Sequence, residues 1–72
     1  MAAQESAPQT EFPRSIGKVA TRELAANGYT RFAQLTTTTP ADLLKIHGVG
    51  KKSISILREE LAERGLSFAD GS

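Results

Sequence analysis

The sequence predicts a compact all-α domain of four to five helices, and three observations support this fold class. Apolar residues recur at helical spacing in two separated segments of the chain. Residues typical of helix starts and helix ends flank those segments. No segment alternates apolar and polar residues as a half-buried strand does. At 72 residues, the chain is one domain at most.

The first half of the chain predicts one long helix and one short helix. A stripe with four-residue spacing comprises Ile16, Ala20 and Leu24. Gly28 follows this stripe, and because glycine commonly ends helices, the first helix is expected over about residues 17–27. The second helix is expected over residues 31–35, with Phe32 and Leu35 directed toward the core.

A third helix is predicted from its start signals. Thr39 is a typical cap residue, Pro40 suits the first helical position, and Asp42 adds an acid to the first turn. We therefore expect this helix to begin after Thr39 and to end near Lys45.

The fourth helix is predicted to be long and to begin after Gly50. Its apolar stripe comprises Ile54, Leu57 and Leu61. Gly65 is expected to end the helix in a left-handed cap, after which Leu66 and Phe68 are expected to return to the core.

The domain boundaries follow from composition. Residues 1–11 have no apolar period and are predicted to be a disordered arm. Residues 12–68 are predicted to form the domain, and residues 69–72 a flexible tail.

An internal repeat relates the two long helices. Ile16-Gly17-Lys18 matches Val49-Gly50-Lys51 at an offset of 33 residues. Leu24-Ala25-Ala26-Asn27-Gly28 matches Leu61-Ala62-Glu63-Arg64-Gly65 at an offset of 37 residues. The two offsets differ by about one helical turn, so we interpret the domain as a duplicated unit whose second long helix is one turn longer.

The turn before the fourth helix carries the pattern most informative about function. His47-Gly48-Val49-Gly50-Lys51-Lys52-Ser53 joins an apolar helix end to a basic helix start. The two glycines are expected to permit positive φ and close backbone approach, with Val49 pointing between the helices. The first amides of a helix lack intrahelical partners and carry the positive end of its dipole, so they favour anions. The lysines and serine that follow are ordinary phosphate-contacting residues.

Basic residues concentrate in the part of the chain that is predicted to fold. The whole chain has a net charge of +1. Between Arg14 and Arg64, nine Lys and Arg residues accompany five Asp and Glu residues, so this stretch carries +4. A basic folded region favours a nucleic-acid partner.

The stretch from Ala41 through Gly48-Val49-Gly50 to Ser67 resembles the helix-hairpin-helix family, whose pattern is an apolar residue, Gly, apolar, Gly, polar positions and a long helix. It is similar to the C-terminal domain of the bacterial RNA polymerase alpha subunit, which carries two such units. The resemblance covers residues 16–68 and is stronger in the second half. It implies two helix-hairpin-helix units whose hairpin amides hold the phosphates of duplex DNA without reading sequence.

Family roles carry over at some positions only. The positions where the alpha-subunit domain meets the DNA backbone fall at Gly50, Lys52 and Ser53. Its principal arginine falls at Val19, which Lys18 and Arg22 flank, and its glutamate in the long helix falls at Ile56. The resemblance therefore does not extend to an AT-rich minor-groove preference or to an activator contact of that kind.

The first hairpin, residues 13–19, is a degenerate partner of the second hairpin, residues 47–53. It keeps Gly17 but has Ser15 where the other glycine would be. Arg14 and Lys18 are its basic contribution.

The sequence thus predicts a module that binds double-stranded DNA largely independently of base sequence. The expected contact residues are Arg14, Gly17, Lys18, Arg22, His47, Gly48, Val49, Gly50, Lys51, Lys52 and Ser53. The alternative is a protein-interaction module that docks on a transcription or DNA-repair complex with little affinity for DNA.

Other classes of protein lack the residues they need. One His, no Cys and no pair of acids placed to share a cleft predict no catalytic residues, no metal ligands and no cofactor. No apolar run is long enough to span a membrane, and residues 1–8 lack the features of a secretory signal. We expect a cytoplasmic monomer that associates with the nucleoid if it binds DNA.

Overall fold

A computed structural model of the chain describes residues 10–71. A 3-10 turn at Arg14–Ile16 precedes four α-helices, which are α1 (Lys18–Ala26), α2 (Phe32–Leu35), α3 (Pro40–Leu43) and α4 (Lys51–Glu63). The described part of the chain contains no strand, which confirms the all-α prediction. The predicted ends of α1, α2 and α4 agree with the structure to within one residue.

The third helix is shorter than predicted. It ends at Leu43, not near Lys45, because the chain tightens into turns in which Lys45 N donates to Asp42 O at 3.2 Å and Ile46 N donates to Leu43 O at 3.0 Å. This tightening brings the chain quickly from α3 into the second hairpin.

Side chains occupy the starts of the two short helices. The Thr39 hydroxyl accepts from Asp42 N at 3.2 Å, as the sequence predicted. At the start of α2, Gln34 Oε1 accepts from Arg31 N at 2.9 Å, and Glu11 Oε1 accepts from Phe32 N at 2.9 Å. The first-turn amides of these helices therefore already have acceptors from the chain itself.

The end of α1 has a glycine cap with two crossed hydrogen bonds. Gly28 has φ +90°, and its N–H donates to Ala25 O at 3.0 Å. The N–H of Tyr29 donates to Leu24 O at 2.8 Å. This pair of bonds is the Schellman arrangement, which satisfies carbonyls that a helix end leaves without partners.

The end of α4 repeats that arrangement. Gly65 has φ +73°, and its N–H donates to Ala62 O at 3.1 Å. The N–H of Leu66 donates to Leu61 O at 2.8 Å. The left-handed cap predicted at Gly65 is confirmed, and both long helices end in the same way.

The core draws apolar residues from every element. Its buried members are Phe12, Ile16, Ala20, Leu24, Phe32, Leu35, Leu43, Val49, Ile54, Leu57, Leu61 and Phe68. The predicted burial of Phe68 is confirmed, whereas the prediction for Leu66 is wrong because that side chain is 37% exposed. Leu66 instead contributes its backbone N–H to the cap of α4.

The last two residues of the predicted arm, Thr10 and Glu11, contact the chain before α2. Glu11 N donates to Thr30 O at 2.8 Å, and the Thr10 hydroxyl donates to the same oxygen at 3.2 Å. Phe12 is buried with its ring edge-on to Phe32, at a centroid distance of 5.2 Å. Thr10 and Glu11 are therefore docked on the chain before α2; the rest of the predicted arm, residues 1–9, lies outside the described residues.

Two further contacts tie the C-terminal end to the body. The guanidinium of Arg64 lies 4.1 Å from the centroid of the Phe32 ring, and it also pairs with Glu60 at 2.8 Å. The N–H of Ala69 donates to Thr38 O at 2.8 Å. The tail predicted over residues 69–72 is thus hydrogen-bonded at its start, while residue 72 lies outside the described residues.

Candidate nucleic-acid interface

The starts of the two long helices lie side by side, and a buried hydrogen bond connects them. Ser53, in the first turn of α4, donates its hydroxyl to the carbonyl of Ile16 at 2.9 Å. Ile16 is the last residue of the 3-10 turn and immediately precedes Gly17, the N-cap of α1. The bond therefore holds the first turn of α4 against the chain that leads into α1.

A tight contact at Gly48 makes the second link between the hairpins. Gly48 has φ +89°, and a Cβ built at this position would overlap Cγ1 of Val19 and lie 3.4 Å from Cγ of Glu23. Val19 and Glu23 are one turn apart on α1, so the second hairpin rests directly on the beginning of that helix. Only glycine fits this conformation and this approach without strain.

Both long helices begin with a glycine and with no side-chain cap. Gly17 is the N-cap of α1 and Gly50 is the N-cap of α4, and within residues 10–71 no side chain accepts from the first-turn amides of either helix. This differs from α2 and α3, whose starts are filled by Gln34, Glu11 and Thr39. Uncapped first-turn amides at the positive end of a helix dipole can donate to an anion.

Basic side chains surround these two helix starts. The exposed members are Arg14, Lys18, Arg22, Lys51 and Lys52. The ion pairs of the described residues lie elsewhere, at Lys45–Asp42 (3.7 Å) and Arg64–Glu60 (2.8 Å). The positive charges near the hairpins are therefore free to interact with an external anion.

Most of the other predicted contact residues lie at the surface of this region. Gly17, His47, Gly48 and Gly50 are all exposed. Val49 is different, because its side chain is only 5% exposed and its N–H donates to Ile46 O at 3.1 Å. Val49 points inward as predicted, and it offers neither a side chain nor a free amide to a ligand.

Ser53 is also removed from the surface. Its side chain is 7% exposed and its hydroxyl proton is engaged by Ile16 O. This corrects the expectation that Ser53 adds an exposed hydroxyl to a phosphate site. The first turn of a helix presents residues to both of its faces, and the 3-10 turn covers the face on which Ser53 lies.

The two glycines of the second hairpin do not share one backbone conformation. Positive φ is confirmed for Gly48, but the close approach there is made by the side chains of Val19 and Glu23 and not by another backbone. Both expectations are wrong for Gly50, which is extended (φ −110°, ψ 178°) and has no atom within 4 Å of a built Cβ. The extended conformation follows from its position, since an N-cap residue takes non-helical β-region angles.

Sequence reasoning missed two residues at this site. Val19 remains 43% exposed although it touches the second hairpin, and Glu23 places its side-chain stem against Gly48. The distance between residues 19 and 48 along the chain hides this contact. The one available signal was the glycine itself, since a Gly-X-Gly turn requires close approach by some neighbour.

Comparison with known protein families, with curated proteins and with solved structures found no match. Within residues 10–71, no group of three or more His, Cys, Asp or Glu side chains is arranged to hold a metal ion. None of the helices described in this part of the chain is long and apolar enough to cross a membrane.

Proposed function

We propose that this chain is a double-stranded DNA-binding module that grips the phosphate backbone largely independently of base sequence. The observation that carries the proposal is the pairing of two uncapped, glycine-started helices on one side of the domain, with Ser53 bonded to Ile16 between them. Five exposed basic side chains lie at or near these two helix starts along the chain, and none of them forms an ion pair within residues 10–71.

The proposal includes two helix-hairpin-helix units. Each would consist of a short helical turn, a glycine-containing hairpin and a long helix: the 3-10 turn with α1, and α3 with α4. Two matched features support the duplication. Both long helices begin at a glycine, and both end in a Schellman cap with glycine in the left-handed conformation.

The chemistry of the site suits phosphate better than base edges. Backbone amides and lysines recognise the charge and spacing of phosphates, which are the same for every sequence. Within this proposal the contact set is Arg14, Gly17, Lys18, Arg22, Gly48, Gly50, Lys51 and Lys52, with His47 at its edge. Ser53 and Val49 act instead by fixing the geometry of the second hairpin.

A second candidate is a protein-interaction module on a transcription or DNA-repair complex. The observation that favours it is an exposed apolar residue beside the start of α4, Leu44, which is 40% exposed. The net charge of the whole chain, +1, is also low for a DNA-binding protein.

The salt dependence of binding tests the DNA proposal. If the two hairpins together neutralise about three phosphates, log K should fall against log[salt] with a slope of roughly −2.7, which is about a fortyfold loss between 50 and 200 mM. The dissociation constant on unrelated duplexes should be about 10⁻⁴–10⁻⁶ M. Chemical-shift titration of the labelled chain with two short duplexes of different sequence gives both quantities. If neither duplex changes the chemical shift of any hairpin amide at 50 mM salt, the proposal is refuted.

A further inference from the structure

A shallow groove runs between α3 and the first half of α4, and it borders the paired helix starts at Lys51. Its volume is about 270 Å³. It is lined by Pro40, Leu44, Lys51, Ile54, Ser55 and Arg58. Pro40 and Leu44 are one helical turn apart on one wall, and the other four residues follow one stripe of α4.

The groove has an apolar floor. Leu44, just after the end of α3, is 40% exposed, and Ile54, which lines the same groove, is 4% exposed. The exposed part of Leu44 leaves apolar surface in water, and its removal by a partner is favourable.

The charges of the groove are positive at both ends. Lys51 and Arg58 are exposed and are seven residues apart on α4, which separates them by about 10 Å along the helix axis. Within the described residues neither forms an ion pair, and the nearby Asp42 is paired with Lys45 at 3.7 Å. The acids of α4 begin at Glu59, beyond the groove-lining residues.

We propose that this groove binds an acidic peptide segment of a partner protein. A large apolar side chain of the segment covers Leu44 and Ile54, and carboxylates on either side of it meet Lys51 and Arg58. The inference does not depend on the DNA-binding proposal, although Lys51 borders both surfaces.

The apolar floor favours a peptide over DNA in this groove. Phosphates need cationic or N–H donors, and they gain nothing from covering Pro40, Leu44 and Ile54. A peptide that carries one apolar anchor between acids satisfies the floor and both ends together. Anchors of this type, buried at the centre of an interface, contribute most of the affinity in protein complexes.

The test uses the full ¹⁵N-labelled chain and three synthetic peptides. The probe peptide alternates glutamate and alanine around a central phenylalanine. One control peptide replaces every glutamate with lysine, and the other replaces the phenylalanine with alanine. We expect the probe to shift the amides of residues 41–44 and 51–58 and to bind at least fivefold more tightly than either control.

Two matched variants separate this surface from the proposed DNA surface. Arg58→Ala should weaken probe-peptide binding about fivefold and leave duplex binding within twofold. Lys52→Ala removes the same charge from the same helix outside the groove. It should weaken duplex binding about fivefold and leave probe-peptide binding within twofold. Leu44→Ala should also weaken peptide binding, and its thermal melt shows whether the fold is intact.

Several outcomes would overturn the inference. Equal binding of the glutamate and lysine peptides would mean that the groove has no charge preference. Shifts confined to residues outside the groove would place the peptide elsewhere. A duplex that perturbs Leu44, Ile54 and Arg58 more than the peptide does would assign the groove to nucleic acid. If the peptide binds as expected and the duplex does not bind, the DNA proposal fails and this inference stands.

Discussion

Each of the two hairpins leads into a long helix whose N-cap is a glycine, but the backbone conformations of the two hairpins differ. In the first, Gly17 serves as the N-cap with φ +99° and ψ 153°, and nothing lies within 4 Å of a built Cβ. In the second, the N-cap Gly50 is extended, and the unusual angle belongs to Gly48 two residues earlier. The first hairpin therefore needs glycine for conformation alone, whereas the second needs it for conformation and for space.

This difference shows that the two hairpins are not equally supported. Gly48 rests on Val19, and Ser53 is bonded to Ile16, so the second hairpin is fixed by contacts with the first unit. A side chain at Gly48 should consequently disturb α1, because it would meet Val19 and Glu23.

The largest effects are expected from matched truncations in the two long helices. Leu24 in α1 and Leu57 in α4 each lie seven residues after the N-cap glycine of their helix, and both are 0% exposed. Leu24→Ala and Leu57→Ala should each lower the free energy of unfolding by about 2–5 kcal/mol. Since a domain of this size has about 3–5 kcal/mol to lose, urea unfolding or thermal melting should show severe loss in both. A melt within a few degrees of wild type for either variant would contradict its place in the core.

Alanine substitutions at the three hairpin glycines should lower the free energy of unfolding by different amounts, because each position uses glycine for a different reason. Gly48→Ala should be the most harmful, because overpacking against Val19 costs about 1–3 kcal/mol in addition to the strain of positive φ. Gly17→Ala should cost only the backbone strain, about 1–3 kcal/mol. Gly50→Ala should cost least, at most about 1 kcal/mol, because it adds no strain of positive φ and only exchanges glycine for the less favourable alanine at an N-cap. Chemical denaturation of the three variants gives the order, and a Gly50 variant as unstable as the Gly48 variant would contradict it.

Ser53→Ala tests whether the Ser53 hydroxyl stabilises the fold or binds phosphate. The change leaves the buried carbonyl of Ile16 without its donor, so stability should fall by about 1–3 kcal/mol. Affinity for duplex DNA, measured well below the melting temperature, should change by less than twofold. A large loss of DNA affinity in a fully folded variant would mean that Ser53 contacts DNA directly. Ala20, which lies three residues after the N-cap Gly17 as Ser53 does after Gly50, is buried and has no side chain that could make such a bond.

Lysine truncation tests whether the second hairpin contributes more to binding than the first. The second hairpin has Lys51 and Lys52 where the first has Lys18 and Val19. Lys52→Ala should weaken binding to unrelated duplexes to a similar degree and reduce the salt slope by about one unit. Stability should hardly change, because this side chain is exposed and forms no ion pair in residues 10–71.

The matched control for this variant is Arg58→Ala, which removes the same charge further along α4. Fluorescence anisotropy at several salt concentrations should show nearly unchanged duplex binding for this control. A larger loss with Arg58→Ala than with Lys52→Ala would mean that the DNA-binding face has been assigned to the wrong side of α4.

Local sequence signals predicted the helices well and their contacts poorly. Caps, apolar stripes and glycine stops act within one or two turns, so the limits of α1, α2 and α4 could be derived to within one residue. The burial of Ser53 and the docking of Glu11 on Thr30 depend on bonds between residues 37 and 19 positions apart. No periodic pattern encodes such pairs.

The sequence indicated which residues belong to the candidate site, but not how their backbones and side chains are arranged. Its glycines and exposed lysines were identifiable because a Gly-X-Gly turn before a basic helix start has a direct physical meaning. The turn alone did not show which of its two glycines takes positive φ, or that Val19 lies against Gly48.

The bond from Ser53 to Ile16 also couples ligand affinity to the cooperativity of unfolding. It joins residues 37 positions apart, so the paired helix starts exist only when both halves of the chain are folded together. An anion bound across this pair has no equivalent site in the unfolded chain, and it stabilises the whole domain by RT ln(1 + [L]/Kd). If the chain binds an anion as proposed, the ligand should therefore raise the melting temperatures of α1 and α4 together.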